Sequence, residues 1–322
     1  MSVSRQRRKV SLVQTLAALA GCFALPLMAA ETFPLPPDDV DLVGQVRTIQ
    51  ALHEDTLLDI ARRSHLGHDE IVIANPGADR WMPGEGTPII LPTRYILPDA
   101  ERTGLVLNIP EMRLYYYPKA KKNEPRVVKT YPVSVGRMDW STPLGKAHIQ
   151  SKQKDPAWRP PKSIRLEAAA KGEPLPEIVP PGPKNPLGRY ALRLSVPGYL
   201  IHGTDKPWGI GMRVTHGCMR LYPEDSETVF NEVAVGTQVH LVNQPVKVGW
   251  LAGTLYMEVH PPLEEDIARK NSLMNIALDV LDQALQKRRV AVSGQAIREA
   301  VEQQTGMPVP ISRNALLEAD AR

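Results

Sequence analysis

Apolar and polar positions change period several times along the chain, and each change marks an element. Residues 45–51 read as a strand. Leu57, Ile60 and Ala61 then lie on one face of a short helix that Asp55 or Thr56 can cap. A second helix over 69–74 stops at Asn75-Pro76, and a turn at Pro83-Gly84 leads into an apolar strand at 87–91. Residues 104–243 read mainly as β. Segments 105–109, 113–117, 127–135 and 145–151 alternate or are β-branched, with Gly and Pro between them. Tyr115-Tyr116-Tyr117 reads as strand packing in preference to an aromatic shelf. Residues 156–197 hold ten prolines, and Pro160-Pro161, Pro180-Pro181 and Pro183 cannot donate to a central ladder. That stretch is expected to leave the sheet, as a functional lid or as a surface crossover. In the tail, 244–322, a strand is expected at 253–260. Leu273, Ile276, Ala277, Val280, Leu281 and Leu285 predict a helix over 271–288, and a short one follows at 295–304. The tail reads as a packing element or partner surface without chemistry.

The chain has 322 residues, 43% hydrophobic and 23% charged, which excludes wholesale disorder and suggests about two domains. Its net charge of +4 is misleading. Arg5, Arg7, Arg8 and Lys9 account for all of it, and beyond residue 30 the two signs balance at 35 each. No basic patch remains for nucleic acid. The basic start, the apolar run from Leu12 and the small residues before Glu31 read as a secretory signal over 1–30, cleaved after Ala30. Gln14 and Pro26 interrupt the run and argue against a retained anchor. Leu19-Ala20-Gly21-Cys22 resembles a bacterial lipoprotein signal, which gives lipidation at Cys22 as the alternative. A Pro-rich lead-in occupies 31–41. Cleavage after Ala30 leaves one cysteine, Cys218, unable to form an internal disulfide.

Cys218 stands in Arg213-Val-Thr-His216-Gly217-Cys218-Met-Arg220, and His202-Gly203-Thr204 lies 16 residues upstream of it. A thiol is a nucleophile only as thiolate, so an imidazole or an array of N–H groups has to favour that form. One strand return would bring His202 to the sulfur. Gly217 permits a tight turn with N–H groups open to a carbonyl oxygen. Arg220 could bind a carboxylate or neutralise a buried charge. Against this stand an inert buried cysteine and a zinc site of His202, His216 and Cys218, which lacks a further ligand at customary spacing.

"IHGT" followed by "RVTHGCMRL" resembles the signature of the L,D-transpeptidases of bacterial cell walls. "LVLNIPEMRLYYYP", "YPVSVGRMDWSTPLGKAHI", "PPGPKNPLGRYALRL" and "GTQVHLVN" follow the family's order over 103–243, with Thr215 where Ser is usual. "DTLLDIA", "IVIANPGAD", "MPGEG" and "PIILP" resemble a lysin motif over 42–93, with His53-Glu54 replacing the usual Gly turn. The alternative there is a generic α/β unit without glycan affinity. The resemblance implies a mainly β, β-sandwich-like catalytic domain, a small α/β lysin-motif-like domain and a partly helical extension over 244–322. It implies the periplasm and a peptidoglycan tetrapeptide stem as donor. Cys218 would be nucleophile and His202 general base, its ring oriented by the Gly203 carbonyl. His216 would line the site. Gly217, Arg220 and Thr204 would serve substrate or oxyanion, and no metal or organic cofactor is required. The acyl group would pass to a diaminopimelate amine, giving a 3→3 cross-link, or to a lysine of an outer-membrane lipoprotein. Water as acceptor would make a carboxypeptidase or amidase. A wall-binding protein with a vestigial cysteine is the non-enzymatic alternative.

Overall fold

The computed structural model describes residues 30–267 and 272–312. The expected leader, including Cys22, lies outside the described residues apart from Ala30, which is buried against the main core. The Pro-rich lead-in forms a strand, β1 (Glu31–Pro34), which the sequence pattern did not suggest.

The next segment contains β2 (Leu42–Gly44), β3 (Arg47–Gln50), α1 (Leu57–Arg63), α2 (His68–Ala74), β4 (Pro88–Leu91) and β5 (Arg94–Ile96). Antiparallel pairing of β3 with β4 gives the expected strand–helix–helix–strand unit. Thr56 caps α1 with a reciprocal capping box: its hydroxyl accepts from Asp59 N–H, and Asp59 accepts from Thr56 N–H. Leu57, Ile60 and Ala61 face the core with Leu66, Ile71 and Ile89. Asn75 does more than end α2. Its amide donates to the Ile71 and Ile90 carbonyls and accepts from Ile90 N–H at 2.7 Å, which pins the helix to β4.

The central part comprises β6 (Gly104–Asn108), β7 (Arg113–Tyr117), β8 (Val127–Pro132), β9 (Val135–Gly136), β10 (Gly145–Lys154), α3 (Lys162–Ala170), β11 (Tyr190–Leu194), β12 (Leu200–His202), β13 (Arg213–Thr215), β14 (Met219–Arg220), α4 (Pro223–Glu232) and β15 (Gln238–Val242). One nine-stranded sheet runs β1-β8-β7-β6-β15-β10-β11-β12-β14 and curls so that its halves enclose a core with α4. Successive tyrosines of β7 alternate, Tyr116 entering this core and Tyr115 and Tyr117 a second one. The expected single strand over 127–135 is broken. Past Pro132 the chain leaves β7, and Ser134 exchanges both backbone bonds with Arg220 of the far edge, at 2.9 and 3.0 Å. That exchange closes the curl. The excursion after β10 contains α3, which the prolines around it concealed.

The tail holds β16 (Val246–Leu251), β17 (Thr254–Val259), α5 (Glu264–Ile267), α6 (Leu273–Lys287), α7 (Gly294–Gln303) and β18 (Val309–Pro310). The three strands form a sheet packed against α6 and α7. The sequence pattern gave β17, α6 and α7 but neither β16 nor β18. The architecture is thus mainly β, with a curled sandwich-like central sheet, a small α/β unit before it and a partly helical extension after it.

Buried ions fasten the parts together. Arg113 is fully buried in β7. Its guanidinium meets Glu70 of α2 at 2.6 Å, donates to Thr130 Oγ1 and to the His65 carbonyl, and lies over the Tyr95 ring. The first N–H groups of α2 find partners in the central part, His68 N–H on the Ile210 carbonyl and Asp69 N–H on that of Gly211. The backbones meet at Gly67 and Gly211, where a Cβ on Gly67 would lie 2.8 Å from the Gly211 Cα. On the other side, buried Lys247 lies between Glu111 at 2.8 Å and Glu258 at 2.7 Å and donates to the Ile96 carbonyl. Tyr115 donates to Glu111. Lys247→Met strands two buried carboxylates and is expected to lower unfolding stability by about 3–5 kcal/mol in urea titration. A second prediction concerns pH. Burial, with Glu224 adding to it, raises Asp225 from 3.8 to about 8, and among the described residues neither of its oxygens has a hydrogen-bond partner. The folded state then holds a proton that the unfolded chain releases, so this group's contribution falls as pH climbs from about 4 to about 8. Asp225→Asn is expected to flatten that slope in thermal melts across the same window.

Candidate active site

The parallel pairing of β12 with β14 sets the site. Ile201 lies opposite Met219 and His202 opposite Arg220. Ile201 and Met219 enter the main core. Strand alternation therefore turns His202, Arg220 and Cys218, just before β14, to the other face. The return between the two strands that the sequence suggested is present, in a parallel register.

His202 is buried, and its Nδ1 lies 2.6 Å from the Gly203 carbonyl. A carbonyl only accepts, so Nδ1 carries the proton and Nε2 keeps its lone pair. Burial, with the Arg220 charge adding to it, pushes the imidazole down to about 3, so the ring is neutral at physiological pH. The Cys218 thiol is half-buried, and its sulfur hydrogen bond runs to the Gly198 carbonyl at 3.7 Å rather than to His202. Burial pushes the thiol up, while the Leu200 N–H, Arg220 and Arg193 work in the opposite direction. The resting site thus pairs a neutral thiol with a neutral imidazole, not a ready-made thiolate as the sequence argument required. A base of this kind takes the proton as the sulfur attacks.

The turn before Cys218 admits no side chain. Gly217 has φ +93°, and a Cβ there would lie 2.7 Å from the Tyr199 ring and 3.3 Å from the Trp140 carbonyl. Thr142 donates to the Gly217 carbonyl at 3.0 Å, and Thr215 donates to the Cys218 carbonyl at 2.6 Å. The Thr215 hydroxyl is the part in use, which a serine would also supply. Among the described residues neither the Gly217 nor the Cys218 N–H carries a turn or loop hydrogen bond.

The other expected residues are placed as follows. His216 directs Nε2 to Glu167 of α3 at 2.9 Å and packs edge-on to Trp140, with ring centroids 5.2 Å apart. Arg220 is half-buried, with its Nε lacking a hydrogen-bond partner. Thr204 is buried and accepts from Lys206 N–H, and it lines a cavity of about 550 Å³ with Asp155, Asp205 and Glu227. As for zinc, His202, His216 and Cys218 do not bring three donor atoms together. Among the described residues the group that does is Glu111, Glu258 and His260, with both carboxylates already paired to Lys247. Sequence reasoning missed Arg137, Trp140, Glu167, Arg193 and Tyr199. Arg137 and Trp140 stood inside a matching segment, but nothing in the sequence links them to His216. The Arg220 charge favours the thiolate, so Arg220→Gln is expected to shift the pH profile of Cys218 alkylation by iodoacetamide upward. An unchanged or lowered profile would contradict the electrostatic picture.

Residues 102–241 match the family described as the L,D-transpeptidase catalytic domain, and residues 245–311 that described as the L,D-transpeptidase C-terminal domain. Over 303 residues the chain is 38% identical to "Probable L,D-transpeptidase YcfS" of Escherichia coli, spanning 92% of this chain and 93% of that one. It is 38% identical over 309 residues to "Probable L,D-transpeptidase ErfK/SrfK" of Escherichia coli, spanning 93% and 97%. With "Probable L,D-transpeptidase YbiS" of the same species it shares 38% over 294 residues, spanning 88% and 93%. The extension after the catalytic sheet is thus a family feature too, and the chain belongs to the L,D-transpeptidase family.

Proposed function

We propose that Cys218 carries the acyl group of a peptidoglycan tetrapeptide stem in the periplasm and hands it to an amine. The observation that supports this most is the His202 ring: neutral, with Nδ1–H fixed on the Gly203 carbonyl and Nε2 unprotonated on the face it shares with Cys218. In this reading Nε2 takes the thiol proton as Sγ attacks the carbonyl of the third stem residue, diaminopimelate. The Gly217 and Cys218 N–H groups receive the oxyanion. Collapse breaks the bond to the terminal D-Ala, whose amine leaves with the proton from His202. An acceptor amine then attacks the thioester and gives its proton to His202, and the thiol is restored as the new amide forms. A second diaminopimelate amine gives a 3→3 cross-link, and a lysine of an outer-membrane lipoprotein gives wall attachment.

The unit over 42–93 is proposed to hold glycan as a lysin motif. Its strand–helix–helix–strand order and the exposed Leu52, Trp81 and Met82 support that reading. The basic and apolar leader supports export. Purified Cys218→Ala, incubated with tetrapeptide muropeptides with and without a lipoprotein acceptor, is expected to lose product formation by about 10³-fold or more. Unchanged product would sink the proposal. Tripeptide without dimer or conjugate from the wild type would assign the acyl group to water instead.

A further inference from the structure

The Pro-rich excursion between β10 and β11 has a buried base and an unburied tip. At the base, buried Asn185 donates to the Pro156, Val179 and Pro180 carbonyls at 2.8, 3.3 and 3.1 Å, and Trp158 bridges to Val179. At the tip, none of the nine residues of α3 is buried. Apolar burial therefore does not hold this helix down.

A carboxylate does. Among the described residues, every side-chain hydrogen bond from α3 to the body of the protein passes through Glu167. Both of its oxygens lie 2.8 Å from Arg137 Nη2, and Oε2 lies 2.9 Å from His216 Nε2. Lys171, on the same turn of chain, reaches Oε1 at 2.7 Å. These donors hold the Glu167 carboxyl well below the ordinary carboxylate range. The two body residues belong to the wall of the active site. His216 stands two positions before Cys218. Arg137 follows β9, which pairs with β13, and its N–H donates to the Thr215 carbonyl at 3.1 Å. The donors thus stand beside the nucleophile, while the anion between them comes from a helix with no buried residue.

We infer that Arg137 and His216 form a carboxylate-binding subsite, which Glu167 fills when no substrate is bound and which a carboxylate of the donor stem takes over by displacing α3. The identity of that ligand rests on the donor proposed above: diaminopimelate carries a free carboxylate at the end remote from its reacting carbonyl. A guanidinium and an imidazole N–H suit a planar anion. Partly exposed ion pairs exchange one carboxylate for another at little cost. A stem amidated at that end of diaminopimelate has no charge to offer there and would leave Glu167 in place.

The test needs no turnover. The full chain and its Glu167→Gln variant are titrated with D-alanine, which reproduces the free amino-acid end of diaminopimelate, and with the corresponding amide, while the Trp140 indole and His216 ring signals are followed by NMR. If Glu167 occupies the subsite about nine-tenths of the time, the acid binds Glu167→Gln about tenfold more tightly than wild type. The amide shows no such gain, and adding Arg137→Gln to Glu167→Gln abolishes it. No gain for the acid, or equal gains for acid and amide, overturns the subsite; a purely structural Glu167 would loosen the site for both ligands alike. The transpeptidase reading fails separately, on the Cys218→Ala assay.

Discussion

Two backbone hydrogen bonds between Ser134 and Arg220 decide whether this protein has an active site. They join the chain leaving β8 to the far edge of the same sheet, and so turn an open sheet into one that folds over its own core. Closure brings the segment after β9, with Arg137, Trp140 and Thr142, against the turn that ends in Cys218. Gly217 then has the Tyr199 ring on one side and the Trp140 and Ser141 carbonyls on the other. The glycine is a consequence of that approach. Any Cβ would push the two sides apart and take the site with them.

The same closure explains how chemistry and stability are separated. Cys218 and His202 sit on one face of a strand pair whose other face, Ile201 and Met219, is core. Packing therefore fixes the spacing of the reactive groups without occupying their surroundings. Burial favours the neutral form of both groups. Arg220 acts on both: it depresses the imidazolium and favours the thiolate.

Around this centre the flanking parts are attached by charges that burial makes selective. Arg113 reaches Glu70 of the N-terminal unit, and Lys247 of the extension meets Glu111 beside the catalytic sheet. An unpaired charge at such depth is costly, so each pair specifies one way of docking. The N-terminal unit thereby rests on the loop at Ile210 and Gly211, a few residues before β13 and Cys218. Helix α3, at the tip of the excursion, is attached in the opposite manner, by a partly exposed carboxylate and no buried side chain of its own.

Local patterns in the sequence settled a good deal. Helical spacing and a capping threonine gave α1, a fifteen-residue amphipathic stretch gave α6, and alternation gave β6 and β7. The grouping of His202, Gly203, Gly217 and Cys218 identified the family, because its spacing in sequence survives as one strand pair in space. What the sequence left hidden depends on partners distant along the chain. Whether 127–135 is one strand or two is decided by Arg220, some 85 positions later. The role of Glu167 is invisible without knowing that α3 lies over Arg137 and His216. Whether the thiol sits above or below its ordinary range depends on how much water the fold removes from it. Residue type and spacing set which groups are available; only the tertiary structure fixes their burial and their neighbours, and for charges and protons those two quantities decide the outcome.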